Sequence, residues 1–433
     1  MTGANPGVNA WAREKWATCA ASDALLISAR STLRRQYRIV RSARALQLFF
    51  VAEQRLCVSP IQMKVRSSSG KVTPLVERFE KGIHSTMSNW TRYSEHSKSI
   101  LDCIGNTPLV RLNRVTAEVK PEILVKLEYF SPSGSLKDRI YLNMIERAEK
   151  RGDLKPGMTI LECSTGNAGI ACSFVAAVKG YACIIVMPEG MSEERKKMDV
   201  AYGTQMIYTP GGESDVDLAL QKLERIRQQD PEKYWVPSQF DNPDNIKAHY
   251  KTTGPEIWEQ TGGKLDAYVG TQGTGGQLTG IGRYLREKRK KIKLYAGEPA
   301  ECPLLSRREW GEHKIEGIGD GFVPRDLDLS LLDGIVTIKS DEAIEMARRL
   351  AKEEGLFCGI SSGANVVAAI KLAKRHPKMK RIVTMICDSG QRYFSTELCG
   401  SPKHVVSPER EHPIDEYTRG QLDKYQGGWE IID

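Results

Sequence analysis

Between residues 97 and 400 the chain alternates two hydrophobic rhythms. Short, nearly unbroken apolar runs fall at residues 123–127, 159–161, 182–187, 267–269, 335–338 and 382–386. Their length and their content of Ile, Val and Ala read as buried strands. Between them lie longer stretches, 138–151, 216–229, 341–354 and 364–375, with apolar residues at helical spacing. These read as amphipathic helices. Ser192 before Glu193 and Glu194 marks another helix start, an N-cap followed by acids in the first turn. Strands alternating with helices predict parallel sheets covered on both faces. A span of about 300 residues exceeds what one sheet readily holds. Two α/β domains are therefore expected, at 97–241 and 242–400, in the order lysine loop first and glycine-rich loop second. Ligands of such sheets gather at the strand C-termini, on the loops leading into helices. The flanks differ from this middle zone. Residues 1–96 are rich in Arg, Ala and Ser with weak periodicity and read as a basic, low-order extension. Residues 401–433 form a polar tail with Pro402, Pro408, Pro413 and the pair Gly427-Gly428.

Composition narrows the class. With 433 residues and 40% hydrophobic content the chain can bury two ordinary cores. No apolar run approaches the roughly 20 residues of a membrane span, so a soluble, cytoplasmic protein is expected, with no membrane partner. The formal net charge is +9, but its location matters. The first 98 residues hold 16 Lys and Arg against 6 Asp and Glu; the remainder holds 47 against 48. A nucleic-acid reader carries its basic excess on a folded face, so no nucleic-acid partner is expected. The stretch 25–50 contains Arg30, Arg34, Arg35, Arg38, Arg41 and Arg44 and few acids. It reads as a disordered tail or as upstream translation from a misplaced start, with Met63 or Met87 as the true beginning. Organelle targeting ranks behind these readings. The intact mass of the natural protein separates them. None of the ten cysteines forms a C-x-x-C pair, and several sit in apolar runs, where cysteine packs as a small hydrophobe. A disulfide framework and a metal site are not expected, and the compartment reads as reducing. His249 and His313 lie in no ligand-spaced pattern and read as structural.

Five strand-to-helix loops carry candidate chemistry. Ser131-Pro-Ser-Gly-Ser-Leu-Lys137 opens the helix from 138. A helix N-terminus disfavours an ammonium there, and a lysine that forms a Schiff base needs its free amine near neutral pH. A lone lysine beside Asp138 would read as solvent-facing; the tight Pro, Gly and Ser loop favours function. Glu162-Cys-Ser164-Thr165-Gly166-Asn167-Ala168-Gly169 offers hydroxyls and backbone N–H groups suited to a carboxylate. It serves equally well as an N-cap with helix-packing glycines. Gly270-Thr-Gln-Gly273-Thr274-Gly275-Gly276-Gln277 lets a backbone approach a phosphate. It is neither a P-loop nor the dinucleotide fingerprint. Glu316-Gly317-Ile-Gly319-Asp320 and Cys358-Gly359-Ile360-Ser361-Ser362-Gly363 complete the set, and each alone reads as an ordinary turn or cap.

Taken together the loops are recognisable. The run from about residue 100 to 400 resembles the cysteine synthase (O-acetylserine sulfhydrylase) and cystathionine β-synthase family of pyridoxal-phosphate enzymes. The resemblance rests on Ile104-Gly-Asn-Thr-Pro-Leu-Val-Arg-Leu112, Gly134-Ser-Leu-Lys137-Asp-Arg139, Ser164-Thr-Gly-Asn-Ala-Gly169 and Gln239-Phe-Asp-Asn-Pro243. It rests also on Thr252-Thr-Gly-Pro-Glu-Ile-Trp258, Gly273-Thr-Gly-Gly276, Gly317-Ile-Gly319 and Gly359-Ile-Ser-Ser-Gly363. It implies the two-domain type II fold, tryptophan synthase β-like, with parallel sheets flanked by helices, and a homodimer. It implies pyridoxal 5'-phosphate held by Lys137, which also serves as the catalytic base. Asn167 would meet the cofactor's phenolic oxygen. Gly273, Thr274, Gly275, Gly276 and Gln277 would cradle its phosphate, and Ser361 would face its pyridine nitrogen. Ser164, Thr165, Asn167, Ala168, Gln239 and Gly317 would hold the substrate. The implied reaction forms L-cysteine from O-acetyl-L-serine and sulfide through an α-aminoacrylate, with serine acetyltransferase as a conceivable partner. Cystathionine formation from homocysteine, and desulfhydration of cysteine, are the alternatives.

The chain departs from the family pattern at three places. Gln277 and Ala168 stand where many relatives have Thr, and Asp320 where many sulfhydrylases have Ala. A carboxylate at the mouth disfavours a doubly charged phosphate leaving group. Asp388-Ser-Gly-Gln-Arg-Tyr393 resembles the sulfhydrylase branch.

Overall fold

A computed structural model describes residues 64–66, 72–74, 96–212, 215–400 and 411–433. The arginine-rich stretch 25–50 and the candidate starts Met63 and Met87 lie outside the described residues. Two compact units divide the chain, Met1–Arg92 and Tyr93–Asp433. In the first, the strands Lys64–Arg66 and Val72–Pro74 pair antiparallel.

The second unit is α/β, built on two sheets. The larger has seven strands in the order Glu430–Ile432, Gly334–Ile338, Lys293–Pro299, Ala267–Thr271, Arg381–Ile386, Glu122–Leu127 and Leu109–Arg111. Every pair in it is parallel except the last, where Leu109–Arg111 runs antiparallel to Glu122–Leu127. The smaller sheet is wholly parallel, in the order Gln205–Thr209, Ala182–Pro188, Thr159–Cys163, Tyr234–Trp235. The sheets do not follow a single cut in the chain. Residues 109–127 join the strands of the second half, because the apolar run Ile123–Leu127 completes a sheet already buried on both faces.

All six apolar runs are strands, each extended by one or two residues. Ala267–Thr271 and Gly334–Ile338 are buried at every position, which is why they show no polar alternation. The helix Lys137–Arg151 buries Ile140, Tyr141, Met144, Ile145 and Ala148, a stripe one face wide. The helix Ile360–Arg375 is buried nearly throughout and packs on the large sheet beneath the helix Ser340–Arg349. The expected helix 341–354 is α-helical only through Arg349; its last turn, Leu350–Glu354, is π-helical. The helix expected after Ser192 is Glu193–Ala201, but the Ser192 side chain does not cap it. Its hydroxyl donates instead to the carbonyl of Arg392, 2.8 Å away, because tertiary contact supplies a nearer acceptor. The described part of the tail, residues 411–433, carries regular elements. The helix Glu416–Tyr425 packs Leu422 into the core, and Glu430–Ile432 adds an edge strand to the chain's own large sheet. Among the described residues no helix is long and apolar enough to cross a membrane.

Candidate active site

Three of the five loops, those carrying Lys137, Asn167 and Gly275, leave the C-terminal ends of strands, whereas residues 316–320 follow the helix Leu304–Arg307 and residues 358–363 follow the turn Leu350–Glu354; all five meet at one cavity. The first turns through Glu128–Phe130 and delivers Lys137 as the first residue of its helix. Beside it Asp138, fully buried, accepts hydrogen bonds from the Ser133 N–H at 2.7 Å and from the Ser133 hydroxyl. Burial pushes the Asp138 carboxyl up to about 6, against the pull of those bonds. The loop is further tied down where the Leu136 N–H donates to the Cys387 carbonyl at 2.9 Å.

The second loop follows Thr159–Cys163 and opens the helix Asn167–Lys179. The Ser164 hydroxyl accepts from the N–H groups of Gly166 and Gly169, at 2.9 and 2.7 Å, and so shapes the loop. Gln239 donates to the Cys163 carbonyl at 3.1 Å, leaving its own buried carbonyl oxygen without a hydrogen-bond partner. Behind the loop Glu162 is buried between the Tyr141 hydroxyl and the Cys163 N–H, each 2.9 Å away. Burial raises its carboxyl to about 7, while these bonds and the nearby Lys137 charge hold it down.

The third loop is a cradle defined by what it lacks. Gly275, at φ +83°, precedes the helix Gly276–Lys288, and a Cβ there would lie 2.6 Å from the Leu327 backbone nitrogen. A Cβ on Gly276 would lie 2.1 Å from the Asn245 side-chain oxygen, and one on Gly273 would lie 2.8 Å from the Gly317 carbonyl. Asn245 also donates to the Thr274 hydroxyl at 3.0 Å. Uncapped N–H groups of a helix first turn in such a cradle suit an anion. The Gln277 amide is turned back onto the Tyr268 hydroxyl and the Met385 sulfur. Ser361 lies buried at the start of the helix Ile360–Arg375.

One cavity takes in Lys137, Ser164, Thr165, Asn167, Ala168, Gln239, Gly273, Thr274, Gly275, Gln277, Gly317 and Ser361. Of the expected site residues only Gly276 is outside its lining; it packs on Asn245 behind the wall. Asp320 lines the cavity too. Arg195, Phe240 and Cys387, to which the sequence motifs assign no role, also line it. Arg195 is buried, pairs with Glu316 and sits 4.7 Å over the Tyr393 ring. An arginine in a helix first turn opposes the dipole as Lys137 does, and that oddity was the available signal. His249 is buried with a ring nitrogen 2.9 Å from the Thr253 hydroxyl, and burial lowers its pKa to about 3. His313 contacts the Gly319 carbonyl at 3.1 Å. Among the described residues no three His, Cys, Asp or Glu side chains gather as a metal would need.

Residues 100–388 match the family model described as pyridoxal-phosphate dependent enzyme. The chain belongs to this family. A cysteine synthase of Staphylococcus aureus is 45% identical over 301 residues, 69% of this chain and 96% of that protein. Cysteine synthase 3 of Caenorhabditis elegans is 46% identical over 328 residues, 75% and 96% of the two chains. A solved cysteine synthase of Entamoeba histolytica superposes with a TM-score of 0.67 at 38% identity, covering 77% of this chain and 96% of that one. The residues present fit pyridoxal phosphate. The cradle that excludes a Cβ at three positions has room for a phosphate, and Lys137 and the Ser361 hydroxyl share its cavity.

Proposed function

We propose that this chain forms L-cysteine by joining sulfide to the β-carbon of O-acetyl-L-serine, with acetate as the leaving group. The observation that carries the reading is a single cavity holding a lysine, a carboxylate loop and a phosphate cradle. Pyridoxal phosphate, when bound, supplies the electron sink for charge that develops at Cα. Everything else falls to the chain. Lys137 would hold the cofactor covalently, and its Nζ, when free, is the group that would take a proton from the substrate Cα. Thr165, Gln239 and the backbone N–H groups of the loop at Ser164–Ala168 bind the substrate carboxylate, with Gly317 beside them in the cavity wall. Gly273, Thr274, Gly275 and the first-turn N–H groups at Gly276 and Gln277 hold the phosphate. Ser361, on the cavity wall, would meet the pyridine nitrogen as a neutral partner and so keep the sink mild. Asp320 at the mouth favours acetate over phosphate as leaving group. The same reading includes a homodimer, a cytoplasmic setting and docking of serine acetyltransferase.

The test is a product assay. O-acetylserine, O-phosphoserine and serine are each offered with sulfide or homocysteine. Cysteine from O-acetylserine and sulfide is the expected product. Turnover with homocysteine alone would overturn the reading. Lys137→Ala is expected to lose at least about 10³-fold in kcat/KM, since it removes both cofactor attachment and base.

A further inference from the structure

The Asn167 amide stands on the cavity wall, but what sets its orientation lies behind the wall. Its Nδ2 donates to Oδ2 of Asp388 at 2.7 Å, and its Oδ1 accepts from Nη1 of Arg392. Both partners are buried, Asp388 completely and Arg392 to 2% exposure. An arginine has no acceptor and a carboxylate has no donor, so this pair admits only one of the two amide orientations. In that orientation Oδ1 is consumed by Arg392, and Nδ2 keeps a second N–H beyond the one given to Asp388. The pair is itself held. Tyr393 donates to Asp388 at 2.7 Å, and Arg392 donates through Nη2 to the Ser133 carbonyl in the lysine loop. Gly359 admits the carboxylate because a Cβ there would lie 2.2 Å from Oδ1 of Asp388.

From this juxtaposition we infer that Asp388 and Arg392 are positioning residues that hold Asn167 as a hydrogen-bond donor toward the cofactor's phenolic oxygen. The inference rests on the proposed cofactor site. It says why that site uses an asparagine whose other face is locked. A donor stabilises the phenolate. Were the amide to flip, Oδ1 would face the same oxygen and repel it.

The experiment reads the visible absorption band of the lysine-bound cofactor in the full-length holoenzyme across pH. The proteins are the wild type, Asn167→Ala, Asp388→Asn, Arg392→Lys and the double variant Asn167→Ala/Asp388→Asn. Asp388→Asn is nearly isosteric but removes the carboxylate, one of the two constraints that hold the amide's orientation. It is expected to move the band's titration midpoint by about one pH unit, a tenfold change in the proton equilibrium. Arg392→Lys, which gives up the fork geometry, should shift it the same way. In the Asn167→Ala background Asp388→Asn should add nothing. A shift that adds fully to that of Asn167→Ala, or unchanged spectra in both Asp388→Asn and Arg392→Lys, would overturn the inference while leaving the cofactor site intact. No lysine-bound band in the wild type would overturn the cofactor site and the inference together.

Discussion

Gly276 and Asp199 show how single side chains set the limits of this site. At Gly276 even a methyl group meets the Asn245 oxygen, and Asn245 is also the support of Thr274. Gly276→Ala is therefore expected to cost about 1–3 kcal/mol of stability and to weaken cofactor retention, measured by urea denaturation and by dialysis. Asp199 is fully buried behind the substrate loop, bonded to Ser173 at 2.9 Å, with its Oδ2 lacking a hydrogen-bond partner. Burial raises its carboxyl from 3.8 to about 7. The unfolded chain then releases this proton first. Stability from the neutral form is present below about pH 4, falls as pH rises toward 7 and levels off above it. Asp199→Asn removes that titration. Relative to the variant, the wild type should lose on the order of 2 kcal/mol between pH 4 and 8, read from urea midpoints.

At the scale of elements, the lysine helix is anchored by charge. Arg139, two residues beyond Lys137, bonds Glu128 and Glu256 at 2.7 Å, and Lys126 completes the cluster at 2.6 Å from Glu256. These residues join the strand Glu122–Leu127, the helix Lys137–Arg151 and the helix Thr253–Gln260. Burial alone would raise the Glu256 carboxyl, but Arg139 and Lys126 prevail and bring it to about 2. Its contribution is thus present above about pH 4.5 and lost as pH falls toward 2. Glu256→Gln leaves two buried cations short of a partner and is expected to cost about 3 kcal/mol at pH 7. Thermal melts at pH 7 and pH 3 should show that difference shrink at the lower pH.

The whole molecule adds a brace that no single loop supplies. The C-terminal segment returns to the loop carrying Gly317 and Asp320: Thr418 accepts from the Val323 N–H at 3.0 Å, and His412 stacks on Trp310 at 3.5 Å. Gln426 donates to the Leu305 and Ser306 carbonyls, and Ile432 enters the core. A chain ending at Gly400 should lose about 3 kcal/mol or more, from the burial of Leu422 and Ile432 alone, and its KM for the amino-acid substrate should rise. An unchanged melting temperature and KM would remove the brace from the account.

Much of this was legible in one dimension. Hydrophobic runs marked the buried strands because parallel strands covered on both faces have no polar side to alternate with. Glycine and lysine placement marked the loops because backbone approach and helix polarity are local properties. Leu109–Arg111 and Glu430–Ile432 were not legible as strands. Three residues carry no periodicity, and only a waiting sheet edge makes them extended. Nor could spacing show that Glu122–Leu127 pairs with a strand some 260 positions later, or that Asp388 and Arg392 reach Asn167. The sequence by itself determined the alternation of elements and the chemical content of each loop. Only the tertiary structure decided which loops share a cavity and which hidden charges orient them, because burial and hydrogen-bond partnership depend on distance in space.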